Sequence, residues 1–271
     1  MVGRHARHGT WRRRGAAGAA AIVALAVALL GMNLLRAGGC AAADVEPTRT
    51  GTAVDVEPTR SGTALHYQGE AGNCSITGAE LYASVSVEEY AGSEACGGYL
   101  DVKGPRGTVR VEVVDSCPTC RSGELDLSTA AFSRIADPRS GVARVAYHSV
   151  RDPELGRGLA FRVRKGSTAG WLALQVLDHG NPLRKVEVRG NDDWRDLERG
   201  SDGYWVASGG AGAGPFDLRV TDVHDQRATV EGVDLAPDEI QRTTTRLYGT
   251  APASASPAPN PLAAEHVRGR C

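Results

Sequence analysis

Two aspartates on either side of a cysteine-bounded loop form the strongest candidate site in the sequence. Asp115 ends the segment 108–115, TVRVEVVD, and Asp126 follows after Cys117 and Cys120. Two carboxylates on one rim of a barrel can hold the hydroxyl groups of a sugar or perform acid/base chemistry on a glycosidic bond. On spacing alone, an equal alternative is that Asp126 serves the entry of a helix and Asp115 serves a turn.

Four inner cysteines favour a disulfide framework over a metal site. In an exported chain they form two disulfides, and we favour Cys74 with Cys96 and Cys117 with Cys120, because the Cys-Pro-Thr-Cys spacing can close a tight loop. The other two pairings stay open. A zinc site is the weaker alternative because Cys74 and Cys96 do not form a second C-x-x-C pair. We expect no metal and no cofactor.

The N-terminus indicates export. Arg12, Arg13 and Arg14 precede an apolar run over about 16–35, and Ala41 to Ala43 offer a cleavage site. The segment 1–43 is therefore an export signal or, because about 20 apolar residues can cross a bilayer, an uncleaved membrane anchor. Cys40 raises the weaker alternative of a lipid-modified N-terminus. We expect a secreted or extracellular protein.

Repeats and proline-rich stretches divide the rest of the chain. Residues 44–53, DVEPTRTGTA, are nearly repeated at 55–64, which is too few copies for a solenoid and indicates a linker. A charged Pro/Gly stretch, RDPELGRG, marks a second break. The predicted organisation is a linker at 44–61, a first domain at 62–148, a linker at 149–158, a second domain at 159–250 and a disordered Pro/Ala-rich tail at 251–271.

Hydrophobic periodicity predicts a mainly β fold. Only 5% of residues are aromatic, so the core must be built from Val, Leu and Ala. Segments 108–115 and 142–150 alternate as half-buried strands do, and a short helix over 129–136 is capped by Ser128. The second domain is predicted to be an antiparallel sandwich with strands at 159–165, 171–178, 183–189, 204–207, 216–222 and 228–234.

Charge excludes some partners. Residues 1–40 carry six Arg and no acid, which leaves 25 basic against 32 acidic residues, a net charge of −7, in the remainder. A nucleic-acid partner is not expected, because binding phosphate backbones requires a positive surface. The same reasoning disfavours an anionic polymer. We expect a monomer.

Three aromatic residues of the second domain are candidates for stacking on sugar rings. In the strand 171–176, Leu172, Leu174 and Val176 share the predicted core face, which places Trp171 with Ala173 and Gln175 outside. Tyr204 and Trp205 are adjacent on a strand, so we expect one to be core and the other to be a binding residue. For Trp194 packing is favoured over binding.

Several motifs resemble the bacterial expansin family. The run 95–107, ACGGYLDVKGPRG, and the following VRVEVVDSCPTCRSGELDLSTAAFSRIA are similar to the expansin barrel, as is Gly72-Asn73-Cys74-Ser75. Lys165-Gly166-Ser167, the run from Trp171 to Val176 and LRVTD at 218–222 resemble the expansin carbohydrate-binding domain. The resemblance covers about two-thirds of the chain and implies a six-stranded double-psi β-barrel followed by an immunoglobulin-like β-sandwich.

The resemblance implies a function and a site. Expansins loosen plant cell walls without cutting glycosidic bonds, using an aspartate at the LDLS position, here Asp126, supported by the aspartate here at 115. Expected partners are cellulose or another β-glucan, or peptidoglycan. Family 45 endoglucanases share the barrel but use a second carboxylate from the first strand, where this chain has Leu65 and His66; Glu70 is the nearest acid.

Two departures from the family pattern leave alternatives open. His66 could hydrogen-bond a sugar or serve the structure, and the adjacent aromatic pair of the second domain is reduced to Trp171 because Gly170 precedes it. Weaker cellulose binding is expected. The alternatives to a non-hydrolytic expansin-like protein are a glycan-cleaving enzyme, either an endoglucanase or a peptidoglycan lytic transglycosylase, and an inactive wall-binding module.

Overall fold

The computed structural model describes residues 58–69, 72–190 and 193–249. The predicted export signal or anchor, most of the first linker and the Pro/Ala-rich tail lie outside the described residues. Within the described ranges, no helix has the length and apolar character needed to cross a membrane.

Six strands close into the barrel that the sequence predicted. They are β1 (Arg60–Tyr67), β2 (Tyr82–Ser86), β3 (Tyr99–Gly104), β4 (Gly107–Cys117), β5 (Glu124–Ser128) and β6 (Ala143–Val150). Their order around the barrel is β1-β5-β2-β4-β3-β6. The pairs β1 with β5 and β2 with β4 are parallel, and the other neighbours are antiparallel.

Small side chains fill the inside of the barrel. Ala64, Ala83 and Leu125 have no exposed surface, which agrees with a core built without many aromatics. The helix α2 (Thr129–Ile135) covers one side of this core with Phe132, which is also fully buried. As predicted, Ser128 caps this helix, since its side chain accepts a hydrogen bond from the backbone N–H of Ala131 at 3.1 Å.

Nine further strands form two sheets that share a second core. They are β7 (Ala160–Val163), β8 (Leu172–Leu177), β9 (Leu183–Arg189), β10 (Arg195–Asp196), β11 (Glu198–Arg199), β12 (Trp205–Ala207), β13 (Phe216–Asp222), β14 (Arg227–Val233) and β15 (Ile240–Arg242). One sheet has the order β10-β9-β13-β14 and the other β11-β12-β8-β7-β15. Six correspond to predicted strands. The sequence analysis missed β10, β11 and β15 because two or three residues are too short to show alternation.

The barrel packs against the outer face of the five-stranded sheet. Gln175 of β8 donates a hydrogen bond to the carbonyl of Cys74 at 2.6 Å, and the Tyr90 hydroxyl of the short helix α1 (Val87–Tyr90) donates to the carbonyl of Ser201 at 2.7 Å. The prediction that Ala173 and Gln175 face solvent is therefore wrong. Both are buried, and the barrel covers the part of this face that carries Gln175.

A close backbone approach at the same interface requires glycine. Gly97 adopts a positive φ of 69°, and a Cβ at this position would lie 2.4 Å from Nε2 of His179. The buried His179 ring belongs to the sandwich, where its Nδ1 lies 2.7 Å from the carbonyl oxygen of Asn181. Burial lowers the pKa of His179 to about 4, so the ring is neutral at physiological pH.

One carboxylate joins five segments of the barrel. Glu89 of α1 accepts hydrogen bonds from Arg60 at 2.8 Å, from the hydroxyl groups of Ser86 and Tyr147, and from the backbone N–H of Gly123. Burial by itself raises the pKa of Glu89, but the hydrogen bonds from Tyr147, Ser86 and Arg60 outweigh it, so the pKa lies below its ordinary value.

We expect Glu89→Gln to lower the free energy of unfolding by about 2 kcal/mol at pH 7, because an amide cannot accept the same set of hydrogen bonds. A carboxylate with a lowered pKa contributes stability above its unfolded pKa and loses it as the pH falls through the folded pKa. The difference in melting temperature from wild type should therefore shrink below about pH 4. Glu88→Gln, at the exposed neighbouring position, is the control. A pH-independent difference would contradict the assignment.

Candidate functional site

A row of side chains crosses four adjacent strands on the outer face of the barrel. Leu65 of β1 lies opposite Asp126 of β5, Asp126 lies opposite Ser84 of β2, and Ser84 lies opposite Asp115 of β4. Neighbouring strands are about 4.8 Å apart, so the α-carbons of the two aspartates are roughly 10 Å apart. The structure therefore places both predicted aspartates on one face of the barrel.

A β-bulge is responsible for the position of Asp115. Along β4 the valines at 109, 111 and 113 are buried, and strict alternation would turn residue 115 toward the core as well. The pairing of β2 with β4 shifts between Ala83 and Ser84, which leaves Val114 as an extra residue. Such a bulge re-aims the side chains that follow it, so Asp115 reaches the face that carries Asp126.

Asp126 carries a partly buried carboxyl group that is not fully hydrogen-bonded. Its Oδ1 is buried without a hydrogen-bond partner, while Leu125 and Leu127 on either side are fixed in the core. Burial raises the pKa of Asp126; His66 opposes this effect and the negative charge of Asp115 adds to it. A carboxyl in this state can donate a proton or a hydrogen bond as well as accept one.

Asp115 is held by the loop that precedes Cys74. Its Oδ1 accepts hydrogen bonds from the backbone N–H of Asn73 at 2.6 Å and of Ser116 at 2.8 Å. Gly72 packs directly on it, since a Cβ at that position would lie 2.3 Å from Cβ of Asp115. Glu70, the other acid considered from the sequence, lies outside the described residues.

Both disulfides that the sequence favoured are present. The Cys74–Cys96 bond anchors the loop that contacts Asp115, and the Cys117–Cys120 bond closes the turn that follows β4. Within the described part of the chain, no group of three or more potential metal ligands is found.

Two tyrosines were missed by the sequence analysis. The hydroxyl of Tyr67 lies 2.6 Å from that of Ser84, and its ring meets Tyr82 edge-on at 5.5 Å between ring centres. The Tyr82 hydroxyl is fixed by the backbone of Gly69. Burial raises the pKa of Tyr67 to about 12, so it stays a hydrogen-bond donor. Tyr67 lies two residues after Leu65 and therefore on the same face of β1. The two-residue alternation of a strand could have identified Tyr67 from the sequence.

His66 serves the structure of α2. Its ring packs on Phe132 at 4.8 Å between ring centres, and its Nε2 lies 3.1 Å from the carbonyl oxygen of Pro138, to which it must donate. Nδ1 lies 3.5 Å from the hydroxyl of Thr129. Because His66 alternates with Leu65 along β1, it lies on the other face of the strand from the row of the two aspartates.

The predicted stacking residues of the sandwich differ in exposure. Trp171 is 36% exposed in the turn just before β8. Tyr204 and Trp205 are 7% and 6% exposed, so the expectation that one of them is an open platform is wrong. Trp205 belongs to the core of the sandwich, and the guanidinium of Arg164 covers the ring of Tyr204 at 4.7 Å.

Comparisons with known proteins agree with this architecture. The family model described as "Lytic transglycolase" matches residues 85–147. Expansin-YoaJ of Bacillus subtilis is 33% identical over 136 residues, which cover 49% of this chain and 58% of that protein. Expansin-B17 of Oryza sativa is 31% identical over 183 residues, covering 60% of this chain and 66% of that protein. The chain thus spans about three-fifths of these curated relatives.

A solved structure decides the family. The apo expansin of Clavibacter michiganensis matches with a TM-score of 0.68 and 42% identity, covering 72% of this chain and all of that one. This chain belongs to the bacterial expansin-like family. A point mutant of the Clavibacter expansin, described as a complex with cellohexaose, matches with the same TM-score and 41% identity, again covering 72% of this chain and all of that one.

In this expansin-like protein we expect Asp115→Asn to lower the pKa of Asp126, because the charge of Asp115 is one of the causes that raise it. Carboxyl ¹³C chemical shifts recorded across a pH titration measure this directly. Asp101→Asn on β3, where Asp101 pairs with Arg110, is the matched control and should leave Asp126 unchanged. An unchanged Asp126 titration in Asp115→Asn would show that the two carboxylates are not coupled.

Proposed function

We propose that this protein is exported, binds cell-wall β-glucan such as cellulose along the barrel groove, and loosens the wall without cleaving glycosidic bonds. The observation that carries the proposal is the buried, unpartnered Oδ1 of Asp126 in the middle of an outward-facing row. A buried acceptor without a partner is costly, and a sugar hydroxyl entering the groove would satisfy it. Ser84 and Tyr67 add hydroxyl groups for the same chain.

The ligand class follows from the groove and from a relative. The row offers carboxyl and hydroxyl groups, and Leu65 is 41% exposed beside them, a mixture that suits the polar edges and apolar faces of pyranose rings. The Clavibacter expansin mutant was solved with cellohexaose, a β-1,4-glucan. Two disulfides support export, because such bonds persist in oxidising compartments.

The side chains of β1 support a non-hydrolytic function. Inverting glycosidases place a base across the sugar from the acid, and the family 45 barrel takes that base from the first strand. All of β1 is described, and beside Asp126 it presents Leu65 in place of a carboxylate. Asp115, on the other side, already accepts two backbone hydrogen bonds.

A glycan-cleaving enzyme is the second candidate function. Two carboxylates share one groove, Asp126 has the raised pKa of a general acid, and the family model matching residues 85–147 is described as a lytic transglycolase. Asp115 or Glu70 would then be the base. Reducing-end release from cellulose and from peptidoglycan distinguishes this candidate from the proposed function.

We expect Asp126→Asn to reduce wall loosening at least about tenfold, because an amide keeps the shape of the side chain but loses its ionisable group, and a hydrogen bond to a charged group contributes about 1.5 to 3 kcal/mol. Loosening is measured as extension of heat-inactivated plant wall under constant load. Binding to insoluble cellulose through the sandwich should persist. Asp137→Asn is the control, because Asp137 lies in the turn after α2, outside the row, and pairs with Arg139.

Two other outcomes of this experiment would change the conclusion. Release of soluble sugar by wild type, abolished by Asp126→Asn, would establish the enzyme in place of the non-hydrolytic protein. Loosening that survives the substitution would show that Asp126 only supports the entry of α2.

We expect Trp171→Ala to weaken pelleting with insoluble glucan about three- to tenfold, since an aromatic stacking contact contributes roughly 0.5 to 1.5 kcal/mol. Its melting temperature should stay near that of wild type because the ring is exposed. The buried Trp205 is the matched comparison, and Trp205→Ala should cost about 3 to 5 kcal/mol of stability. A large fall in melting temperature for Trp171→Ala would assign the ring to packing.

A further inference from the structure

The four-stranded sheet of the sandwich has an outer face that the proposed function does not use. On this face β9 carries Lys185, Glu187 and Arg189, and β13 carries Asp217 and Arg219. The inner face carries apolar residues such as Val186, Val188 and Leu218, which are buried in the core. Trp194 stands at the edge of the same outer face, just before β10, and we call this surface the Trp194 face.

The Trp194 ring packs against two arginines of this sheet. Continuing the register of β10 with β9 places Trp194 opposite Arg189, and Arg219 belongs to the strand beyond. The guanidinium carbons lie 4.9 Å and 3.9 Å from the ring centre. The half-buried ring therefore contacts side chains of two successive strands of the sheet.

Trp194 is not a core residue. It belongs to neither of the two buried clusters of the described chain, and its side chain is half-buried. The packing function that the sequence analysis favoured is therefore limited to contact with two arginines. Cation–π contacts keep the indole in place, and the part of the ring that stays exposed offers an apolar surface to a sugar ring.

The charges around Trp194 are paired among themselves. Arg189 binds Asp217 at 2.7 Å, Arg219 lies 3.5 Å from Glu187, and Lys185 contacts Glu187 at 3.2 Å and Asp196 at 2.9 Å. This balance offers little attraction to an anionic polymer. It does offer many donors and acceptors to the hydroxyl groups of a neutral one.

We propose that the Trp194 face is a second binding surface for a neutral β-linked glucan chain, independent of Trp171. Trp171 directly precedes β8 of the other sheet, and the outer faces of two stacked sheets point in opposite directions. One molecule can therefore hold two glucan chains, one on each side of the sandwich, and bridge them. This inference rests on the proposed function, since it assumes that Trp171 binds glucan.

Cellohexaose titration into wild-type protein, followed through the indole ¹⁵N–¹H signals, tests the surface without any substitution. We expect the signals of Trp171 and Trp194 both to shift, with independent saturation. The buried Trp205 provides the internal reference. Saturation of Trp171 while Trp194 does not shift overturns the second surface. If neither signal shifts, the proposed function fails as well, so the two failures are distinguishable.

Cross-linking of cellulose nanocrystals tests the bridging. Light scattering should show that substoichiometric wild-type protein joins nanocrystals into larger particles. Trp194→Ala should still pellet with cellulose through Trp171 but lose the cross-linking, and Trp194→Phe, which keeps a ring over the two arginines, should restore most of it. Undiminished cross-linking by folded Trp194→Ala overturns bridging through this face, as does loss of cross-linking in Trp194→Ala without rescue by Trp194→Phe.

Discussion

One extra residue in β4 brings the two carboxylates of the groove onto the same face. Without the bulge at Val114, the alternation of Val109, Val111 and Val113 would direct Asp115 into the hydrophobic core of the barrel. An unpaired carboxylate there would be very costly. The bulge places Asp115 outside, and the loop of Gly72 and Asn73 then closes over it, fixed by the disulfide at Cys74.

The same arrangement explains why the two aspartates differ in their hydrogen bonding. Asp115 accepts hydrogen bonds from two backbone N–H groups, whereas Asp126 lies between residues fixed in the core and has an oxygen that nothing in the described chain satisfies. Burial and the neighbouring negative charge push the pKa of Asp126 upward. One carboxylate is thereby held in place and the other is left for a ligand, a division of roles set by their environments.

The sequence predicted the parts of this fold that depend on local pattern. The alternation in β4 and β6, the cap at Ser128 and the short Cys117–Cys120 loop are all local, and each was found as predicted. The expectations that failed depended on contacts between distant segments. Ala173 and Gln175 looked exposed because periodicity within a strand contains no information about a second domain packing on it. The predicted domain boundaries and the sugar-binding functions of the site residues stay predictions.

The packing of arginine on aromatic rings bears on the remaining error, which is the predicted exposure of Tyr204 or Trp205 in the sandwich. The chain has only three lysines, Lys103, Lys165 and Lys185, so arginine supplies most of its 31 basic residues. In the structure, guanidinium groups lie over the rings of Tyr204, Trp205 and Trp194. A planar cation packs on an aromatic face more readily than an ammonium does.

Because of this packing, the presence of an aromatic residue in the sandwich is not by itself evidence of a sugar-binding site. Arg164 occupies the face of Tyr204 that a sugar would need, and Asp202 holds Arg164 there at 2.7 Å. Among the large apolar residues that are exposed in the described part of the chain, Trp171 is the one with an aromatic ring. Burial and the positions of neighbouring arginines together decide whether a ring of this sandwich is open to a polysaccharide, and neither can be read from the spacing of the aromatic residues along the sequence.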